Sequence, residues 1–147
     1  MRWLVPPVLW ALMILAMAAQ RFWLPTVPLL PDWLALIGVL PVAGGLLLSV
    51  AGAFHFRRRG TNIRPFRDPE MLVTDFVFAY SRNPMYLGFA LALLGLAILF
   101  NDAGALLFVA LFVIIVARWY LRLEEAAAAR RCGDAVHAYR RRVRRGL

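Results

Sequence analysis

Four apolar stretches divide the chain: Trp3 to Ala19, Trp33 to Phe56, Tyr86 to Phe100 and Ala103 to Tyr120. None has an acidic residue in its interior, and the four are read as membrane-spanning helices. The last two are interrupted only by the polar pair Asn101 and Asp102. Together they cover about 35 residues, roughly 50 Å of helix, which fits a tight hairpin of two crossings better than one long helix. The first stretch is too long for a usual signal-peptide core and has no clear small-residue cleavage site before Gln20 and Arg21, so it reads as a retained span. Pro6 and Pro7 lie near its start, where missing amide donors are tolerated.

Small residues recur where helices would have to approach closely. Gly38, Gly44, Gly45 and Gly52 lie in the second stretch, and Gly88, Ala92 and Gly95 form a stripe along the third. In lipid such positions offer helix-contact faces. GVLPVAGG therefore reads as packing, and no GxGxxG at a strand-to-helix turn indicates a soluble nucleotide-binding fold.

Composition agrees with this picture. Among 147 residues, 63% are hydrophobic and 17% charged, and the mean hydropathy is +0.70. The length predicts a single domain over residues 1–147. The fold class expected is an all-α integral membrane protein of four transmembrane helices, with a cytoplasmic middle loop and a C-terminal helical extension. The formal net charge is +9, and every basic side chain is arginine. Residues 57–82 carry six arginines against Asp68, Glu70 and Asp75, and residues 118–147 carry nine against Glu124, Glu125 and Asp134. The opposite connections hold Arg21 with Asp32, and Asp102 alone. The positive-inside rule then places both termini and both arginine-rich segments in the cytoplasm, with the cell (inner) membrane as the location. The arginines read as orientation signals and lipid attraction, with no nucleic-acid role. Cys132 is the single cysteine, so no internal disulfide or CxxC site exists.

Two polar clusters lie on that shared side. In RNPMYLG, Arg82 to Gly88, Pro84 biases Asn83 away from helical geometry and suits the first turn of the helix that follows. Helix N-terminal amides with Arg82 beside them would favour a carboxylate ligand; an interfacial arginine pairing with lipid phosphate is the other reading. In RWYLRLEEAAAARRCG, Arg118 to Gly133, helix-favouring residues extend the fourth span. Arg118 and Arg122 are seven and three residues from Glu125, spacings that can share one face. The acids there either address a site or simply solvate the helix beside the arginines.

LVTDFVFAYSRNPMYLG, followed after one hairpin by LEEAAAARRCGDAVHAYRRRV, resembles the isoprenylcysteine carboxyl methyltransferase family and its broader phospholipid-methyltransferase-like relatives. The likeness is concentrated in residues 57–145. It implies S-adenosylmethionine as cofactor, bound at the cytoplasmic face by Glu70, Met71, Leu72, Val73, Phe78, Asn83, Pro84, Met85, Tyr86 and Glu124. Tyr139 matches the second aromatic residue of the family's Y-x-x-Y ending and is placed toward the substrate; by their own chemistry Arg118 and Arg122 suit an anionic substrate, Arg82, Glu124 and Glu125 are the catalytic candidates, and no metal is expected. Where these relatives commonly read L-V-T-x-G-P-Y, this chain has Phe76 for the glycine, Val77 for the proline and Phe78 for the tyrosine. Ala128, Cys132 and Val136 likewise replace a leucine, a phenylalanine and a tyrosine.

Methyl transfer from a sulfonium asks the protein mainly to bind, orient and exclude water. A carboxylate acceptor is already ionised and a thiol has a pKa only modestly above neutral, whereas an amine needs a base, for which Glu124 or Glu125 is available. The expected activity is methyl transfer to a small lipophilic or membrane-associated carboxylate or thiol. A phospholipid amine methyltransferase, or a non-enzymatic four-helix transporter or assembly module, are the alternatives. The lipid bilayer is the expected surrounding, and the sequence leaves the oligomeric state open. His55 and His137 are far apart and lack a ligand set; His55, beside FRRR, reads as an interfacial side chain.

Overall fold

In the computed structural model, residues 6–58, 76–122 and 143 are described. Four α-helices account for most of them: α1 Pro6–Trp23, α2 Val39–Arg58, α3 Pro84–Phe100 and α4 Ala105–Ile115. No strand occurs among the described residues. α1 and α3 both begin on a proline, which has no amide to leave unpaired in a first turn.

A 3₁₀ helix, Asp32–Gly38, leads into α2. Pro41 lacks the amide that would close an α-turn on the carbonyl of Ile37, so tighter i to i+3 winding up to this point leaves fewer orphan acceptors. The combined segment Asp32–His55 spans 24 residues and is the one helix, among the described residues, long and apolar enough to cross a membrane. Pro84–Phe100 and Ala105–Tyr120 are apolar but shorter. Four crossings are the sequence expectation; what the structure establishes is four helices, one with the full length and hydropathy of a span.

α3 is the central helix. One side meets α2 along the predicted small-residue stripe. A methyl group at Gly38 would fall 2.5 Å from the Gly95 carbonyl oxygen, and one at Gly95 would fall 2.6 Å from the Gly38 carbonyl oxygen. Gly45 and Gly88 face each other just as closely, beside Ala92. The two backbones touch where side chains would hold them apart, so dispersion contacts form along the whole crossing. The opposite side of α3 supplies Tyr86, Ala90, Leu93 and Ala97 to a core shared with Leu9 and Met17 of α1 and Ala105 and Phe112 of α4. Trp10 adds a directional contact, its indole N–H donating to the Phe89 carbonyl at 3.1 Å while the rings stack at 5.3 Å.

The outward faces remain apolar. Leu15, Leu40, Leu47, Val50, Leu107 and Ile114 are all exposed. Apolar exposure on this scale around a helical bundle calls for a covering surface such as lipid.

At one end, the α3–α4 turn is tied to the segment between α1 and α2. Asn101 ends α3 in the left-handed region, at φ 48°, and its side chain bridges the two segments. Its carbonyl accepts from the Leu29 and Leu30 amides at 3.0 and 2.9 Å, and its NH₂ donates to the Leu30 carbonyl and to Asp32 Oδ1 at 2.8 and 2.9 Å. Asp102, 1% exposed, accepts from the Thr26 amide at 2.9 Å, the Thr26 hydroxyl at 2.5 Å, Gln20 Nε2 at 3.1 Å and the Gly104 amide at 2.9 Å. Arg21 Nε donates to the Phe100 carbonyl at 3.0 Å, covering an orphan acceptor of the α3 C-terminus.

Candidate functional site

The other end is built differently, because α2 outruns α3. The Ser49 hydroxyl donates to the Met85 carbonyl at 2.9 Å, and a Cβ at Gly52 would lie 3.0 Å from Met85 Cγ and 3.5 Å from Pro84 Cγ. Gly52 is thus level with the first turn of α3, while α2 continues to Arg58. Six further residues make an overhang of about 9 Å. On it, the guanidinium of Arg58 lies 4.5 Å from the Phe54 ring centroid.

The overhang meets the segment that leads into α3. His55 has its ring 5.3 Å from Phe76 and 6.4 Å from Phe78. Phe76–Ala79 form a short 3₁₀ turn, and the amides of Tyr80 and Ser81 donate to the Val77 carbonyl at 3.3 and 3.2 Å. Phe76 takes φ 55°. That is left-handed backbone, costly for a residue with a Cβ and free for glycine. Phe78 is 4% exposed whereas Phe76 is 58% exposed.

Ser81 is buried, and its hydroxyl accepts from the Asn83 amide at 3.2 Å. Asn83, at φ −137° and ψ 59°, caps α3 from outside helical geometry with Pro84 at the first helical position, as the sequence predicts. Its carbonyl receives the Leu87 amide at 3.1 Å. Arg82, Asn83 and Met85 are half-buried, and Pro84 and Tyr86 are buried. Arg82, Asn83 and Tyr86 each have interaction partners. The Tyr86 ring belongs to the bundle core, alongside Tyr120 and Leu121.

The structure therefore places Arg82, Asn83, Pro84, Met85 and Tyr86 at the start of α3 and Phe78 in the short turn that precedes it, against His55. Arg118 and Arg122 are exposed at the end of α4. Arg118 lies in a π-turn, Val116–Tyr120, which widens the helix by one residue. The regular spacing from which alignment of Arg118 with Glu125 is expected does not hold through that turn. Glu70, Met71, Leu72, Val73, Glu124, Glu125 and Tyr139 lie outside the described residues. Val143, near Tyr139 in sequence, is buried. Among the described residues no cluster of three metal-ligating side chains occurs.

Sequence reasoning assigned His55 to the interface and missed its place against the Phe76–Phe78 turn. No spacing rule links residues 55 and 76; the only sequence signal is that the second apolar stretch runs past the level of Gly52.

The family profile for phospholipid methyltransferases matches residues 33–134. The chain belongs to the phospholipid methyltransferase family. The matched region takes in α2, α3 and α4 and therefore the whole described site, beginning well upstream of residue 57, where the motif resemblance starts. Neither a curated protein nor a solved structure matches the chain. Membership of this membrane-embedded methyltransferase family fits the apolar outer faces and the single full-length apolar helix.

Proposed function

We propose that this protein transfers a methyl group from S-adenosylmethionine to a small lipophilic or membrane-associated acceptor. The observation that carries the reading is that the family match covers the end of the bundle where the α2 overhang, the Phe76–Ala79 turn and the Arg82–Tyr86 corner converge. S-adenosylmethionine supplies an electrophilic methyl on a sulfonium, together with a carboxylate and an adenine ring.

The donor chemistry at this end fits such a molecule. Arg82 and the N-terminus of α3 offer positive charge and positive dipole toward a carboxylate. The half-buried His55 ring and the exposed Phe76 ring offer flat surface, with the buried Phe78 packed behind them. The chain's part is to hold these groups fixed and keep water from the reacting atoms. The reaction replaces the sulfonium S–CH₃ bond with a bond from CH₃ to the acceptor. A carboxylate or thiolate acceptor needs no base, whereas an amine would hand its proton to a group such as Glu124 or Glu125. The family match favours a lipid acceptor and keeps the phospholipid amine as a specific second reading.

Incubation of purified protein with methyl-labelled S-adenosylmethionine and fractionated membrane lipid tests this. Label is expected in organic-extractable product, and its release by mild base separates a methyl ester from a methylamine. Label confined to water-soluble macromolecules, or no turnover at all, would defeat the proposal.

The proposal includes four crossings, with residues 57–82, residues 121–147 and both termini at the cytoplasmic side of the cell membrane. Its support is the arginine asymmetry. Single cysteines placed in each segment of a Cys132-free variant are expected to react from the same side of sealed vesicles; reaction from opposite sides would remove the shared site.

A further inference from the structure

We infer that His55 is a positioning residue: its ring clamps the Phe76–Phe78 turn, which leads the chain into the Arg82–Tyr86 corner of the site. The inference rests on the proposed cofactor site for its functional meaning.

Phe76 stands at φ 55°, a backbone state that a phenylalanine does not hold by local preference. Something outside the residue must keep it there. Its ring is largely exposed, at 58%, so general burial is a weak restraint. The His55 ring, at 5.3 Å, makes a specific contact with it. The same imidazole lies 6.4 Å from Phe78, which by contrast is nearly buried. One side chain thus spans both ends of a three-residue turn that passes into α3 through two long hydrogen bonds to the Val77 carbonyl, at 3.2 and 3.3 Å.

His55 is itself on a firm base. It projects from the overhang one turn beyond Gly52, where α2 is packed against Pro84 and Met85. The α2–α3 seam therefore sets the height of the imidazole relative to Arg82 and Asn83. Aromatic contact is the property required, so phenylalanine at position 55 should serve and alanine should not. Glycine at position 76, which adopts positive φ freely, should make the clamp dispensable.

Hydrogen–deuterium exchange of the full chain in nanodiscs without cofactor tests this at the Tyr80 and Ser81 amides. Their exchange is expected to quicken about 10-fold in His55→Ala, with amides in the middle of α2 and α3 unchanged. His55→Phe should retain parental protection, and His55→Ala/Phe76→Gly should recover most of it. If His55→Ala does not fold, His55→Gln, which keeps hydrogen-bonding capacity but loses the ring, takes its place against His55→Phe. Unchanged exchange in the ring-deleted variant, or no recovery with Phe76→Gly, would overturn the inference. Calorimetry with S-adenosylmethionine provides the second readout, with the dissociation constant expected to rise about 10-fold in His55→Ala and to return in the double variant. A parent chain that binds no cofactor would sink the proposed function while leaving the exchange result to decide the clamp.

Discussion

The two ends of the bundle use polar residues in opposite ways. At the α3–α4 turn, Asn101 and Asp102 are surrounded by donors and acceptors from residues 20–32, and their chemistry is consumed in holding two connections together. At the α3 N-terminus, Arg82 stands half-buried, a few residues after a turn that carries the His55–Phe76 ring contact and left-handed backbone. One end spends its polar groups on tying two connections together; the other gathers charge, aromatic rings and strained backbone at a helix N-terminus, the combination expected where a ligand is received. A polar cluster at the end of a helix is therefore uninformative until its partners are known.

The sharpest way to break this division is a reciprocal pair of variants. Asp102→Ala strands the donors of Thr26, Gln20 and Gly104, and for a charge-assisted network the expected loss of stability is about 2–3 kcal/mol. Affinity for S-adenosylmethionine should stay at the parental value. Arg82→Ala should do the reverse, lowering that affinity about 10- to 150-fold, or roughly 1.5–3 kcal/mol, with stability within about 1 kcal/mol of the parent. Denaturation in micelles and calorimetry read the two effects separately. Equal losses of affinity in both variants would show that the ends are not independent.

The two regions also differ in how far the sequence disclosed them. Pro84 as the start of α3, Asn101–Asp102 as the hairpin break and the Gly88/Ala92/Gly95 face were all legible, because each follows from local backbone chemistry or a spacing of four or seven residues. What Asn101 and Asp102 bond was not legible: Thr26 and Leu30 lie more than seventy residues earlier, and nothing in either segment names the other. The positive φ at Phe76 was hidden for a different reason. A glycine would have announced it, but phenylalanine stands at position 76, so the backbone state is present without its usual residue. The π-turn at Val116–Tyr120 was likewise masked by a sequence that favours regular helix.

A smaller effect sharpens the account of the closed end. Burial would raise the Asp102 pKa, but hydrogen bonds from the Thr26 side chain, the Thr26 amide, the Gln20 side chain and the Gly104 amide outweigh it and hold the carboxyl at about 2, below its ordinary 3.8. The unfolded chain then binds this proton more readily than the folded one. The associated stabilisation is complete above about pH 4 and is lost as the pH falls from there to about 2. Although its immediate neighbours cover it, the carboxylate lies at the rim of the bundle, with water close behind that shell. Screening therefore limits the loss to under about 1 kcal/mol. Stability measured from pH 5 down to 2 should fall more steeply in the parent than in Asp102→Asn, while from pH 5 to 8 the two curves run parallel. Because the difference between the curves cancels every other carboxylate, including Asp32 beside Asn101, an acid limb that survives subtraction belongs to Asp102. Parallel curves below pH 4 would mean that the donors recognise the shape of the side chain and not its charge. The closed end would then be held by hydrogen-bond geometry alone.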